Sequence, residues 1–64
     1  MKIFIYENRI RIQGATQEQL DYLFSLPECY TLQKVTNGWV VHGSRGDLFT
    51  LLFELAKDYD IDLV

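Results

Sequence analysis

Residues 7–26 and 36–55, ENRIRIQGATQEQLDYLFSL and TNGWVVHGSRGDLFTLLFEL, read as two copies of one unit. Asn37 follows Asn8 by 29 residues (37 − 8), and this offset relates further pairs: Gly14 and Gly43, Leu23 and Leu52, Phe24 and Phe53, Leu26 and Leu55. Self-similarity at a fixed period is typical of a repeated supersecondary unit. Since each copy contains a turn, a strand, a glycine corner and an amphipathic helix, the sequence predicts a tandem β-β-α repeat over residues 2–27 and 30–59.

Length and composition restrict the class of protein. The 64 residues suit a single domain, residues 1–64. Cys29 is the only cysteine, which excludes an internal disulfide and suits a reducing compartment. The start of the chain lacks the apolar run of a signal peptide, and no stretch has the roughly 18–20 apolar residues of a membrane span. We therefore expect a cytoplasmic protein without a membrane partner.

The first hairpin is predicted from two strand-like stretches, residues 2–6 (KIFIY) and 9–13 (RIRIQ), around a two-residue turn at Glu7-Asn8. That register places four isoleucines on one face: Ile3, Ile5, Ile10 and Ile12. The opposite, outer face then carries Phe4, Tyr6, Arg9, Arg11 and Gln13.

The first helix is predicted over residues 17–26, with Thr16 as its N-cap and Gln19 completing a capping box. Its i, i+3, i+4 spacing is expected to bury Leu20, Leu23 and Phe24. Pro27 is expected to end the helix, because the residue before proline disfavours helical geometry.

A second hairpin is predicted between strands over residues 30–36 and 39–42, with Asn37-Gly38 as its turn. The repeat directs Trp39 and Val41 toward the core. A strict two-residue turn would also direct Lys34 inward, where a charged side chain is unfavourable. We therefore expect a longer loop or a bulge near Thr36.

The second helix is predicted over residues 47–59, opened by a capping box of Ser44 and Asp47. Its sheet-facing side consists of Leu48, Leu51, Leu52 and Leu55. Phe49 and Phe53 remain for the other helix or for a partner. Residues 61–64 are expected to form a short final strand, buried through Ile61 and Leu63 or through Val64.

These elements predict an α+β fold in which two helices pack on one face of a mainly antiparallel sheet. A ferredoxin-like arrangement fits the last six elements. It conflicts with the first hairpin, because the strand at residues 9–13 would already have a neighbour on both sides. The strand order is therefore left open.

The outer face is the first candidate site. Aromatic rings beside arginines on an open sheet, here Phe4, Tyr6, Arg9 and Arg11, can stack unpaired bases and hold phosphate. The alternative is cross-strand pairing that shields the sheet, or a homodimer surface. A net charge of −3 and a pI near 4.8 favour this alternative, since nucleic-acid affinity depends on Lys and Arg.

Other polar groups give weaker signals. The corner Gly43–Gly46 could hold an anion at a helix start with help from Arg45, although an ordinary N-cap explains the same residues. Asp58, Asp60 and Asp62 lack the glycine and closing glutamate of a calcium loop. His42 and Cys29 have no partner at ligand or catalytic spacing. We therefore expect no metal, no cofactor and no enzymatic activity.

Three stretches resemble the N-terminal substrate-recognition domain of phage recombination-repair helicases of superfamily two, a relative of the damage-recognition domain of XPB-type helicases. They are Asn8–Leu23, the aromatic strand that ends at Thr36-Asn37-Gly38-Trp39, and the leucine-rich helix leading to Ile61-Asp62-Leu63-Val64. This resemblance implies nucleic-acid contact by four residues: Trp39, Arg9, Arg11 and Lys34.

The expected function is that of a small non-catalytic binding module, an adaptor or an inhibitor, acting through protein–protein contact or self-association as a dimer. The reason is a surplus of apolar residues: Phe49 and Phe53 beside a full leucine stripe, and Phe4 and Tyr6 on the outer face. A nucleic-acid-binding recognition domain is the alternative. A third possibility is an acidic inhibitor that occupies a basic site on another protein.

Overall fold

The computed structural model describes residues 1–64 as a five-stranded sheet with two helices. The elements in chain order are β1 (Lys2–Ile5), β2 (Arg9–Gln13), α1 (Gln17–Phe24), β3 (Thr31–Val35), β4 (Gly38–His42), α2 (Arg45–Asp58) and β5 (Asp62–Leu63). The strand order is β3-β4-β2-β1-β5. Three neighbouring pairs are antiparallel, and β5 runs parallel to β1. The predicted α+β class with a mainly antiparallel sheet is confirmed.

The position of β1 resolves the conflict over strand order. β1 lies between β2 and β5, so that β2 pairs with β1 on one side and with β4 on the other. In a ferredoxin-like sheet the last strand would lie directly beside β2. Here β1 occupies that place, and β5 forms the sheet edge instead.

The first hairpin has the predicted register. The Tyr6 backbone N–H donates to the Arg9 carbonyl at 2.9 Å, which closes the turn at Glu7-Asn8. Ile3 pairs with Ile12 and Ile5 with Ile10, whereas Phe4 pairs with Arg11. Because side chains alternate along a strand, the isoleucines share one face and Phe4 and Arg11 share the other.

The second hairpin differs from the prediction. Val35 pairs with Gly38, so the turn residues are Thr36 and Asn37, and neither a longer loop nor a bulge is needed. Asn37 takes the left-handed conformation with φ 63°, which asparagine tolerates better than most residues. Gly38 is the first residue of β4, where a Cβ atom would lie 2.2 Å from the Ile12 carbonyl oxygen.

Lys34 does share a face with the core, contrary to the expectation. It pairs with Trp39, and its side chain remains exposed because β3 is an edge strand. The Lys34 ammonium lies 5.2 Å from the centroid of the Trp39 ring. A cation over an indole face is a favourable contact, so the lysine needs no burial to be accommodated there.

Both helices begin at the predicted N-cap residues, but only the Ser44 half of the second capping box is present, and both helices have different bounds. The capping box of Thr16 and Gln19 is present, and the Ser44 hydroxyl accepts from the Asp47 N–H at 3.1 Å. α1 ends at Phe24, two residues before the predicted end. α2 begins at Arg45, two residues before its predicted start, and ends one residue early.

The hydrophobic core is small. It consists of Ile3, Ile10, Ile12, Leu23, Val41, Leu48, Leu51 and Leu55. Leu20 and Leu52 are only partly buried, and half of the Phe24 surface is exposed, so the predicted burial of Phe24 is wrong. The predicted burial of Leu63 or Val64 is also wrong, because both are exposed and only Ile61 is half-buried.

The 29-residue offset that relates the two sequence units does not relate structurally equivalent positions of the two helices. The N-caps Thr16 and Ser44 are 28 residues apart (44 − 16), one fewer than the turn residues Asn8 and Asn37. Leu23 therefore corresponds in position to the buried Leu51 rather than to Leu52. The two helices also differ in length, with 8 and 14 residues.

Candidate binding surfaces

An apolar groove runs between α2 and the β1–β5 edge of the sheet. All seven residues that line it are hydrophobic: Ile5, Phe49, Leu52, Phe53, Ala56, Ile61 and Leu63. Its volume is about 260 Å³. Contiguous exposed apolar surface of this kind marks interaction sites on many soluble proteins.

The groove exists because α2 has two apolar stripes and only one of them is buried. The buried stripe is Leu48, Leu51 and Leu55. The second stripe follows the i, i+3, i+4, i+7 spacing that produces a helix contact face, through Phe49, Leu52, Phe53 and Ala56. Phe49 is 58% exposed and Phe53 is 74% exposed.

The remaining wall of the groove comes from the sheet edge. β5 has only two residues, and Leu63 on it is 62% exposed. Ile5 at the end of β1 is half exposed, since β5 pairs only with Lys2 and Ile3. The short final strand therefore leaves the end of β1 uncovered beside the aromatic side chains of α2.

Arg45 lies at one end of this groove. A smaller hollow of about 100 Å³ joins the groove through shared lining residues and brings Arg45 close to Tyr6 and Glu7. Arg45 is exposed and is the first residue of α2. The Ser44 cap satisfies the Asp47 N–H at this helix start, so an ordinary N-cap accounts for the Gly43–Gly46 corner.

The outer face brings together four of the predicted site residues. The Arg9 guanidinium carbon lies 4.7 Å from the centroid of the Tyr6 ring, and that of Arg11 lies 5.7 Å from the centroid of the Phe4 ring. Arg11 Nη2 donates to the Thr36 carbonyl at 3.4 Å, whereas its Nε is shielded from solvent and has no partner. A shallow hollow of about 360 Å³ lies here, lined by Tyr6, Arg9, Arg11, Val35, Thr36 and Val40.

Trp39 and Lys34 do not belong to that surface. Trp39 pairs with Ile12 and therefore lies on the isoleucine side of the sheet, where its ring meets Phe24 edge-on at a centroid distance of 5.0 Å. Lys34 lies beside it. The predicted binding set thus falls into three places: the outer face, the Trp39 side and the start of α2.

Of the remaining polar side chains, His42 and Tyr30 make hydrogen bonds within the fold, and Cys29 is exposed. His42 Nε2 lies 3.1 Å from Gln33 Oε1 on the neighbouring strand, and Cys29 is exposed. The Tyr30 hydroxyl donates to the Asp47 carbonyl at 2.5 Å. No group of three or more His, Cys, Asp and Glu residues has the arrangement of a metal site.

Two tyrosines have shifted pKa values, and neither lines the groove. Burial raises the pKa of Tyr22, and the carboxylates of Glu54 and Asp58 add to the effect by opposing a phenolate. Burial also raises the pKa of Tyr30, with smaller contributions from Cys29 and Asp47. Both shifts follow from packing around α2.

Sequence reasoning identified the aromatic half of the groove and missed the sheet half. Ile5 shares the isoleucine face as predicted but is half exposed, and Leu63, one of the two alternatives for burial of the final strand, is exposed. The sheet half depends on β5 having only two residues against the four of β1, which the sequence pattern of residues 61–64 does not indicate.

Neither helix has the length and apolar character of a membrane-spanning segment. Comparison of this chain with models of protein families, with curated proteins and with solved structures found no match.

Proposed function

We propose that this chain is a small non-catalytic module that binds protein, and that the apolar groove is its contact surface. The observation that supports this most is the exposure of Phe49 and Phe53 in a groove lined by hydrophobic side chains alone. Aromatic side chains, phenylalanine included, contribute much of the free energy of protein interfaces when a partner removes them from water. A protein surface is the ligand that matches such a lining.

We infer further that both helices pack on the isoleucine face and leave the outer face without helical cover. The core supports this, because its strand residues all belong to that face and cluster with Leu23 of α1 and three leucines of α2. The tandem repeat remains a proposal as well. Its support is the equal hairpin register, since Glu7-Asn8 and Thr36-Asn37 occupy equivalent turn positions.

A pull-down with matched variants tests the proposed contact surface. Phe53→Asp places a charge in the groove, and Thr50→Asp places the same charge on an exposed part of α2 outside it. We expect the wild-type chain and Thr50→Asp to retain the same proteins, an untagged copy of the chain included, and Phe53→Asp to lose them. Retention of those proteins by a folded Phe53→Asp variant would contradict the proposal.

A nucleic-acid-binding domain, as the helicase resemblance implies, is the second candidate. The observation in its favour is the pairing of Arg9 with Tyr6 and of Arg11 with Phe4 on the outer face. The same guanidinium groups cover ring faces on which bases would stack, and the net charge is −3. Both facts place this candidate behind protein contact.

A salt titration with a fluorescent single strand tests the second candidate. Binding through Arg11 would weaken with rising salt and would weaken further in Arg11→Ala. The circular dichroism spectrum of the variant serves as the folding control. The absence of binding at low salt would exclude this function for the outer face.

A further inference from the structure

We propose that the occupant of the apolar groove is a second copy of this chain, with the two α2 helices packed antiparallel about a two-fold axis. This inference rests on the proposed function, since it names the protein that the groove binds. A two-fold interface uses the same patch on both copies, so the patch must be complementary to itself. The second stripe of α2 meets this requirement.

The order of large and small residues along the stripe is self-complementary. With the axis between Leu52 and Phe53, antiparallel helices set Phe49 of one copy opposite Ala56 of the other, and the reverse contact occurs at the far end. The small side chain of Ala56 leaves room for the Phe49 ring, as ridges-into-grooves packing requires. At the centre, Leu52 of each copy then contacts Phe53 of the other copy.

The charges are compatible with self-pairing even though each chain carries a net charge of −3. The groove lining contains no charged residue, so the pairing sets no like charges against each other at its centre. The same register places Arg45 of one copy opposite Asp60 of the other, just beyond the C-terminal end of α2. A cation near a helix C terminus is favourable, and here the contact would occur twice.

The exposed apolar area of the groove supplies a large part of what a stable pair needs. If a phenylalanine side chain presents about 200 Å², Phe49 and Phe53 together expose about 260 Å². Ile5 and Leu63, which line the same groove and are 50% and 62% exposed, add to this area. The two phenylalanines of each copy would thus contribute about 520 Å² to a pair. The aliphatic wall of the groove and the polar rim supply the rest of the roughly 1,000–1,200 Å² at which specific interfaces begin.

Sedimentation velocity across micromolar to millimolar concentrations tests the pairing. We expect the wild-type chain and the control Thr50→Asp to form dimers, and Phe53→Asp to raise the dimer dissociation constant by about 30-fold or more. Arg45→Asp and Asp60→Arg should each weaken the dimer, and the double charge swap should restore it. Restoration of the dimer by the double swap distinguishes this antiparallel register from non-specific hydrophobic association. A monomer throughout, or a dimer unaffected by Phe53→Asp, overturns the inference.

Binding of the hydrophobic dye bis-ANS separates failure of this inference from failure of the proposed function. A wild-type monomer that binds the dye saturably, with loss in Phe53→Asp and retention in Thr50→Asp, has an open groove for a different protein. That result overturns the second copy as occupant and leaves the proposed function standing. A monomer that binds no dye in the groove contradicts both.

Discussion

Phe49 and Phe53 lie one helical turn apart on α2, and both expose more than half of their side-chain surface, while Leu48, Leu51 and Leu55 of the same helix are buried. The helix therefore carries more apolar surface than this sheet covers. Since the sheet edge beside it consists of a two-residue strand, the excess collects in one groove. The proposed function follows from that local mismatch between a long helix and a short final strand.

Gly38 and Gly46 should respond in opposite ways to alanine. A Cβ atom at Gly38 would lie 2.2 Å from the Ile12 carbonyl oxygen, so we expect Gly38→Ala to lower the free energy of unfolding by about 3 kcal/mol. Gly46 has open space and lies in the first turn of α2, so Gly46→Ala should stabilise the fold by about 0.5 kcal/mol. Urea unfolding measures both. Equal effects would show that β4 does not approach β2 this closely.

Phe24 and Phe53 are both exposed phenylalanines on helices, but only Phe24 meets an aromatic partner. We expect Phe24→Ala to lower the free energy of unfolding by about 1–2 kcal/mol, because it removes the edge-on contact with Trp39. Phe53→Ala should change it by less than about 0.5 kcal/mol at low protein concentration. Denaturant titration followed by Trp39 fluorescence provides the comparison. A larger loss in Phe53→Ala would place Phe53 in the core.

The raised pKa of Tyr22 implies a loss of stability in alkali. Below the ordinary tyrosine value of 10.0, the side chain is protonated in both the folded and the unfolded chain and contributes no pH dependence. Above that value the unfolded chain releases its proton first, so the free energy of unfolding falls as the pH rises toward the folded pKa.

Tyr22→Phe tests this dependence, because it removes the titrating hydroxyl and retains the ring. The centroid of that ring lies 6.1 Å from the centroid of the Tyr59 ring. We expect wild-type and variant stabilities to run parallel from neutral pH to about 9.5 and to diverge above pH 10, where the wild type loses more. The difference between the two chains isolates the contribution of the Tyr22 hydroxyl. Parallel curves up to pH 11 would refute the shift.

Local sequence patterns predict most of the helices and strands, because the formation of these elements depends largely on neighbouring residues. The alternation of isoleucines gave the first hairpin register, and Thr16 and Ser44 marked both helix starts. Asn37-Gly38 is a strong local turn signal, and it predicts the second turn one residue too late in the chain. Extending the offset from Glu7-Asn8 would have pointed to Thr36-Asn37, the turn observed.

Strand order and exposure were less predictable because they depend on tertiary contacts. Nothing in the pattern of β1 distinguishes an edge strand from one that lies between β2 and β5. The exposure of Phe24 and Leu63 likewise depends on how far the neighbouring elements reach. The groove was predictable as an excess of aromatic residues on the second helix, but its second wall was not.

Nuclear magnetic resonance of the wild-type chain, recorded over a dilution series, tests the central claim most directly. We expect concentration-dependent amide shifts at residues 49–56 and 61–63 and near Ile5, the elements that form the groove, with Phe4, Arg11 and Val40 of the outer face unchanged. Shifts confined to the outer face, or spectra that do not change with concentration and do not respond to bis-ANS in the groove, would contradict the assignment of the groove as the binding surface.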